Sequence, residues 1–143
     1  MSELDDFLES TLPRHIEADI ALHNGDVTPR MRMWSRSDPV TVFGAFGPCV
    51  SGWAEVSRAF EWVASRFSGN TAYTFELVAG GVSGDMAYTV GYERHSTSID
   101  GAAAEPKTLR VTQVYRREDG EWKVAHRHAD ERIPDPMGAP TGQ

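Results

Sequence analysis

Hydrophobic residues recur at helical spacing in the first half of the chain and alternate with polar residues in the second half. From residue 4 to residue 22, apolar side chains fall every three or four positions, which predicts a helix that either begins near Thr11 or kinks at Pro13. Thr28 and Pro29 predict the first turn of a short second helix. A third helix is predicted by one evenly spaced apolar stripe: Trp53, Val56, Phe60, Val63 and Phe67.

Shorter runs of apolar residues predict strands in the remainder of the chain. A short strand from Val40 to Phe43 and a brief return strand precede the third helix. Four longer alternating runs follow it, over residues 71–80, 86–96, 108–117 and 121–132. Helices followed by an antiparallel meander indicate an α+β fold. We place a single domain at residues 1–132 and a flexible tail at residues 133–143, where apolar periodicity ends.

The hairpin between the last two strands decides which side chains share a face. We expect a three-residue loop, Glu118 to Gly120, with Gly120 in the left-handed conformation. Side chains alternate along a strand, so this register groups six residues on one face: Arg110, Thr112, Val114, Val124, His126 and His128. A two-residue loop would shift the partners by one position and move Arg110 away from the histidines.

The face with the two histidines is apolar near the hairpin and polar at its far end, as in a small-molecule pocket. One interpretation makes His126 or His128 a general base that takes a proton next to a carbonyl group. Arg110 would then hold a carboxylate or a developing oxyanion, and Thr112 would add a hydrogen bond. The alternative is a hydrogen-bonded polar wall without chemistry. The opposite face, which carries Arg127, is a candidate subunit contact.

Three further residues are candidates for ligand binding. Trp34 lies at the end of the second helix, where it would either stack on a flat ligand or cap the core. Tyr92 joins the pocket if its face of the strand points inward, and Asp130 follows the two histidines on the last strand.

Two other arrangements of polar residues have weaker support. A metal site on the two histidines needs a third protein ligand, for which Glu93, His95 and Asp130 are candidates, but no local spacing selects one of them, so we predict no metal. His15 and Asp19 are four residues apart on the first helix. They could orient each other at the pocket mouth, as an imidazole and its carboxylate partner, but such a pair is more commonly a partly exposed ion pair.

Composition excludes several classes of function. The net charge of -7 and the scattered arginines argue against nucleic-acid binding. No apolar run is long enough for a membrane helix, and the acidic N-terminus does not resemble a secretory signal. A single cysteine, Cys49, fits a reducing compartment, so we expect a cytoplasmic protein. No phosphate-binding loop or nucleophile elbow is present, and we expect no cofactor.

Four segments resemble the SnoaL-like branch of the nuclear-transport-factor-two-like superfamily: WSRSDPVTVFG, the SGW that opens the third helix, SGDMAYTVGYER and, most specifically, REDGEWKVAHRHAD. The resemblance covers roughly residues 12–130. It implies a curved sheet wrapped on a long helix, forming a cone whose mouth opens to solvent. It also implies homodimers that pair through the outer sheet face.

Members of that superfamily include polyketide cyclases, dehydratases and steroid isomerases, so the resemblance implies fold more firmly than function. The steroid isomerases use an aspartate before Pro-Val, which Asp38 matches, but Asp38 lies at the start of its strand, whereas the equivalent position falls near Phe43. We therefore expect an acid–base isomerase, cyclase or dehydratase whose catalytic residues differ from those of the steroid isomerases. A non-catalytic ligand-binding protein and a dimerisation module with a vestigial pocket remain the alternatives.

Overall fold

The computed structural model describes residues 2–134 and 136–138 and contains three helices and six strands in that part of the chain. The helices are α1 (Glu3–His23), α2 (Thr28–Met33) and α3 (Trp53–Arg66). The strands are β1 (Thr41–Phe43), β2 (Cys49–Ser51), β3 (Phe67–Ser83), β4 (Met86–Ile99), β5 (Glu105–Glu118) and β6 (Glu121–Glu131).

All six strands form one curved sheet in the order β2-β1-β6-β5-β4-β3. The pairing of β1 with β6 is parallel, and every other named pair is antiparallel. The helices cover the concave face, where Phe7 of α1 lies edge-on to Tyr115 and Trp122 at centroid distances of 5.0 and 5.1 Å. This arrangement confirms the α+β cone and its helices predicted from the sequence.

Helix α1 begins at Glu3, next to the first residue of its apolar pattern, so the predicted alternative of a start near Thr11 is wrong. Ser2 accepts a hydrogen bond from the backbone of Asp5, whose side chain in turn accepts from the Ser2 amide, and this capping box starts the helix at Glu3. Pro13 lies inside the helix. The buried face of α1 is partly polar: Phe7, Thr11, His15, Ala18, Asp19, Leu22 and His23.

Aspartates from outside α2 and α3 accept hydrogen bonds from the first backbone amide of each helix. Thr28 is the first residue of α2, and its amide donates to Oδ1 of Asp26. Gly52 precedes α3 with a φ of 91°, and Oδ1 of Asp38 accepts from the Trp53 amide over 2.8 Å. Asp38 therefore serves as a helix-capping residue on the loop before β1.

The turn between β5 and β6 has two residues, so the predicted three-residue loop is wrong. Asp119 and Gly120 have φ values of 51° and 79°, the left-handed pair that a type I′ turn requires. Glu118 consequently pairs with Glu121. This register alone would move Arg110 away from the histidines, but a bulge intervenes.

A bulge in β6 inserts one extra residue beside Ala125. Tyr115 pairs with Val124, but the next residue, Val114, pairs with His126. The extra residue returns Arg110 to the face of His126 and His128, because a bulge shifts every later partner by one position, but the direct partner of Arg110 is Asp130. Val124 therefore lies on the opposite face from His126, contrary to the predicted grouping.

None of the described helices is long and apolar enough to span a membrane. Beyond β6, Ile133, Pro134 and residues 136–138 are exposed and form no helix or strand. Residue 135 and residues 139–143, which belong to the predicted tail, lie outside the described residues.

Candidate functional site

A cluster of charged side chains is buried on the concave face of the sheet. Asp19 comes from α1, Arg30 from α2, Glu93 from β4 and Arg127 from β6, and each residue is at most 7% exposed. Charged residues are rarely buried unless they are paired, and here two carboxylates meet two guanidinium groups. The interior of the cone is therefore electrostatically structured rather than purely hydrophobic.

Glu93 and Arg127 form a two-pronged ion pair. Nη2 of Arg127 donates to Oε1 of Glu93 over 2.7 Å, and Nη1 donates to Oε2 over 3.0 Å. Burial raises the pKa of Glu93, but the attraction of Arg127 outweighs it and holds that pKa below its usual value. Nη1 of Arg127 also donates to Oε1 of Gln113, which fixes the guanidinium plane.

Asp19 anchors the second arginine and a tyrosine. Nη2 of Arg30 donates to Oδ1 of Asp19 over 2.5 Å, and the Tyr73 hydroxyl donates to Oδ2 over 2.8 Å. Burial favours the neutral acid, but Arg30 and then His15 outweigh it, so the pKa of Asp19 lies well below its usual value. Burial also raises the pKa of Tyr73, which keeps its phenol protonated.

His15 bridges the two carboxylates. Its Nε2 lies 2.8 Å from Oε2 of Glu93 and 3.2 Å from Oδ2 of Asp19. Burial lowers the pKa of His15, but Asp19 and then Glu93 outweigh it and raise the pKa to about 9. An imidazolium at neutral pH gives the cluster three positive charges against two negative ones.

One contact of His15 conflicts with this charge state. Nε2 of Gln113 lies 3.3 Å from Nδ1 of His15, an approach that suits a neutral imidazole. We assign the imidazolium because both carboxylate contacts are shorter than this one and carry the opposite charge.

Two further imidazoles share one threonine. Nδ1 of His23 lies 2.8 Å from Oγ1 of Thr97, and Nδ1 of His95 lies 3.2 Å from the same oxygen. Burial, followed by repulsion from His95, lowers the pKa of His23 to about 3. Burial also lowers the pKa of His95. Both rings are therefore neutral at pH 7.

A cavity of about 40 Å³ adjoins these groups at the open end of the cone. Its walls are mainly apolar: Leu22, Val42, Ala45, Phe46, Pro48, Ala59, Phe60, Val63, Phe67 and Leu109. Three polar side chains, His23, Arg30 and Arg127, also line it. An apolar space with a few convergent polar groups has the character of a small-molecule site, here for a ligand of few atoms.

The oxygens and nitrogen of His15, Asp19 and Glu93 lie within 4.8 Å of one another, close enough for a metal to be considered. The arrangement of these three side chains does not suit a bound metal. His15 contacts both carboxylates at hydrogen-bond distance, whereas a bound zinc would sit about 2.0–2.2 Å from each donor. Arg30 and Arg127 already neutralise the two carboxylates.

The residues predicted to line the pocket lie mostly on the convex face. His128 and Arg110 are exposed, and His126 and Thr112 are half-buried on the same side. Arg110 donates to both oxygens of Asp130, over 2.7 and 2.8 Å. The expectation that these side chains look into the cone is therefore wrong, because the helices pack on the alternate residues of β5 and β6.

His126 is held on the convex face by a neighbouring strand. Its Nδ1 lies 2.7 Å from Oγ1 of Thr41, and the Phe43 ring lies edge-on to both His126 and His128 at 5.6 Å. Burial lowers the pKa of His126, and His128 lowers it further.

Trp34 and Tyr92 do not line the cavity either. Trp34 is 3% exposed and lies edge-on to Phe60 at 4.9 Å. It therefore belongs to the core, the second of its two predicted roles, and does not stack on a ligand in the cavity. Tyr92 is half-buried on the convex face of β4, below the guanidinium of Arg94 at 5.4 Å. Tyr92 does not reach the concave surface, and Trp34 packs in the core on that side but outside the cavity lining.

The interior cluster has partial signals in the sequence. His15 and Asp19 do form the predicted pair on α1, but they are 1% and 3% exposed, which excludes the expected solvent-exposed ion pair. Glu93 and His95 alternate on β4, and the sequence marks them only as candidate metal ligands. Arg127 lies between the two histidines on β6, and the face assigned to it as a subunit contact is the concave one.

Comparison with known proteins identifies the fold and the domain. A family model described as the SnoaL-like domain matches residues 17–130. A search of curated proteins finds no match.

Similar solved structures cover nearly the whole chain. A "putative dehydratase" of the NTF2-like family from Streptomyces avermitilis has a TM-score of 0.69 at 20% identity, covering 91% of this chain and 99% of its own. An NTF2-like superfamily protein from Salmonella enterica has a TM-score of 0.70 at 18% identity, covering 91% and 92%. A cystatin-like protein of unknown function from Nostoc punctiforme has a TM-score of 0.66 at 15% identity, covering 88% and 91%. Identities this low establish the fold alone.

Proposed function

Since the chain belongs to the SnoaL-like domain family, we propose that it is a small-molecule enzyme of acid–base type, an isomerase, cyclase or dehydratase that acts on a carbonyl compound inside the cone. One observation carries the proposal. An apolar cavity is lined by two buried guanidinium groups and one neutral imidazole, Arg30, Arg127 and His23. The name of the Streptomyces structure, a dehydratase, agrees with this class of reaction.

Arg30 and Arg127 supply the electrostatic part of the mechanism. Removing a proton next to a carbonyl group moves negative charge onto its oxygen. Guanidinium groups fixed by Asp19 and Glu93 need no reorganisation when that charge develops, and the apolar walls strengthen the attraction. The buried carboxylates therefore act as positioning residues for the arginines.

His23 is the group that moves the proton. Its Nδ1 is occupied by Thr97, so Nε2 is the ring nitrogen without a protein partner among the described residues. The Thr97 hydroxyl also meets Nδ1 of His95, so rotation of one hydroxyl lets either imidazole accept or donate. His23 can take a proton at one carbon and return it at another, as an isomerase requires. A bound anion would raise the low pKa of His23 towards the working range.

The proposal is tested by isotope exchange and turnover. Carbonyl substrates incubated with the protein in deuterium oxide should exchange protons next to the carbonyl group. His23→Ala should lower the rate by about 10²–10⁴-fold, the usual contribution of a general acid–base group. His126→Ala and His128→Ala, on the convex face, should keep the wild-type rate. Loss of exchange in the convex-face variants with full activity in His23→Ala would overturn the assignment.

A non-catalytic ligand-binding protein that uses the same cavity is the rival function. Occupation of the cavity without exchange or turnover of any carbonyl compound would favour it.

A homodimer through the convex face also belongs to this proposal. That face carries large exposed apolar side chains, Phe43, Met86 and Tyr88, each 43–46% exposed. Covering them against a second copy would bury apolar area that a lone chain leaves in water. Sedimentation of the wild type and of Tyr88→Asp tests this: the wild type should sediment as a dimer and the variant as a monomer.

A further inference from the structure

Arg30 is buried with most of its hydrogen-bonding capacity unused. A guanidinium carries five N–H donors. Among the described residues, only Asp19 accepts from it, through Nη2, although Arg30 is 7% exposed. Four donors have no protein partner in the described part of the chain, and Arg30 lines the cavity, so a ligand there can accept from them. The Phe60 ring lies 5.2 Å from Cζ and holds the guanidinium plane in place.

Arg127 contributes further free donors to the same cavity. Both N–H groups of its Nη1 are used, by Glu93 and Gln113, and one N–H of Nη2 is used by Glu93. The Nε–H and the second Nη2–H have no acceptor in the described part of the chain. Nη1 of Arg127 lies 3.8 Å from Asp19, the residue that also binds Arg30, so the two guanidinium groups are neighbours.

These donors exceed what a carbonyl oxygen can accept. A carbonyl oxygen has two lone pairs, whereas a carboxylate offers about four acceptor sites and matches the flat edge of a guanidinium. The cluster also carries one positive charge in excess when His15 is protonated. A monoanionic ligand would neutralise it.

We propose that the substrate is a small 2-keto acid, whose carboxylate and adjacent carbonyl oxygen are bound together by Arg30 and Arg127 while its short carbon chain contacts Phe46, Phe60 and Phe67. This assignment rests on the proposed function and narrows its substrate class. The apolar walls select against inorganic anions, and the cavity of about 40 Å³ selects a chain of few carbons.

Calorimetric titration with three matched probes tests the assignment without relying on chemistry. The probes are 2-oxobutyrate, butyrate, which lacks the keto group, and butanone, which lacks the carboxylate. We expect both acids to bind, 2-oxobutyrate the more tightly, and butanone to bind at least about tenfold more weakly than butyrate, since a charged hydrogen-bonded pair contributes more than a neutral one. Equal binding of butanone and butyrate, or no binding of either acid, would overturn the inference.

Inorganic phosphate provides a fourth titration. Phosphate has the charge but no apolar part, so it should bind more weakly than butyrate. Phosphate that binds as tightly as butyrate would show a general anion site and would overturn the keto-acid assignment.

Variants locate the binding site. Arg30→Lys retains a cation beside Asp19 but loses the planar N–H array, so it should weaken 2-oxobutyrate binding by at least about tenfold. Arg66→Gln removes an arginine from the exposed pair with Asp100, away from the cavity, and should leave binding unchanged. Thermal unfolding of each variant confirms that it is folded. A folded Arg30→Lys with wild-type affinity would contradict the assignment.

Deuterium exchange separates this inference from the proposed function. If the wild-type protein exchanges butanone as fast as 2-oxobutyrate, the acid–base proposal stands and the keto-acid assignment is overturned. Tight binding of both acids, with no exchange in any carbonyl probe, would retain the anion site and overturn the enzymatic proposal.

Discussion

Two arginines on neighbouring strands form the same kind of ion pair on opposite faces of the sheet. Arg110 of β5 binds both oxygens of Asp130 on the convex face, where their side chains are 54% and 45% exposed. Arg127 of β6 binds both oxygens of Glu93 on the concave face, where the exposures are 6% and 0%. Two-pronged pairing thus occurs in water, through Nε and Nη2 of Arg110, and in a nearly dry interior, through Nη1 and Nη2 of Arg127.

Position in the fold, rather than residue type, decides whether a charged group can act on a ligand. Water screens the exposed ion pair of Arg110 and Asp130, so the pair contributes little to the stability of the fold. The Arg127–Glu93 pair is fixed by Gln113, which accepts from Arg127, and by His15, which contacts Glu93. Arg127 also lines the cavity. A buried pair of this kind is costly to assemble, but once assembled it presents oriented charge to a ligand.

The largest predicted difference between the two faces is in stability. Arg127→Met leaves Glu93 buried without its cation and should lower the free energy of unfolding by about 3–5 kcal/mol. Arg110→Met removes an exposed pair that water screens, so it should lower the free energy of unfolding far less. Urea unfolding of both variants measures the two values. Equal losses would show that the concave cluster is not the electrostatic core described above.

Acid should destabilise the protein through His23. The folded-state pKa of about 3 lies below the unfolded value of 6.5, so the stability from burying the neutral ring is present above pH 6.5 and is lost as pH falls towards 3. The loss attributable to His23 should be roughly 3 kcal/mol between pH 6.5 and pH 4. Comparison with His23→Gln isolates it, because glutamine cannot titrate. Identical acid profiles for the two proteins would refute the neutral buried ring.

Alkaline pH should weaken the fold through His15. Its folded-state pKa of about 9 lies above the unfolded value of 6.5, so its contribution is complete below pH 6.5 and is lost as pH rises through 9. We expect a loss of roughly 2–3 kcal/mol between pH 6.5 and pH 8.5. His15→Gln should remove this slope. A wild type whose stability is constant over that range would instead support the neutral imidazole that the Gln113 contact suits.

Changes on the convex face should be the mildest. His128 is exposed, so His128→Ala should change the free energy of unfolding by about 0.5 kcal/mol or less. Binding of 2-oxobutyrate should also be unaffected. Differential scanning calorimetry and titration measure the two quantities, and a large effect on ligand affinity would return the site to that face.

The fold could be predicted from the sequence because its main elements have clear periodicity. The apolar stripe of α3 and the alternation of β4, β5 and β6 predicted the correct elements, with ends displaced by a few residues. The capping box at Ser2 was the local signal for the true start of α1. Each helix or strand buries one face, so the order of apolar and polar residues along the chain carries its period.

The site could not be placed because alternation gives two faces without saying which one is covered. The convex face of β5 and β6 carries valine, threonine and histidine, and it resembles a pocket wall as closely as the concave face does. The two-residue turn and the bulge at Ala125 then changed the partners of the strands, and neither follows from hydrophobic pattern. Polar residues within the apolar stripe of α1, His15 and Asp19, were the informative exception.

Nuclear magnetic resonance of the imidazole nitrogens during titration with 2-oxobutyrate is the most direct test of the central claim that the functional site lies inside the cone. The resonances of His23, which lines the cavity, should shift and saturate with the ligand, while those of His126 and His128 should stay in place. Saturable shifts of His126 and His128 with an unmoved His23 would contradict it.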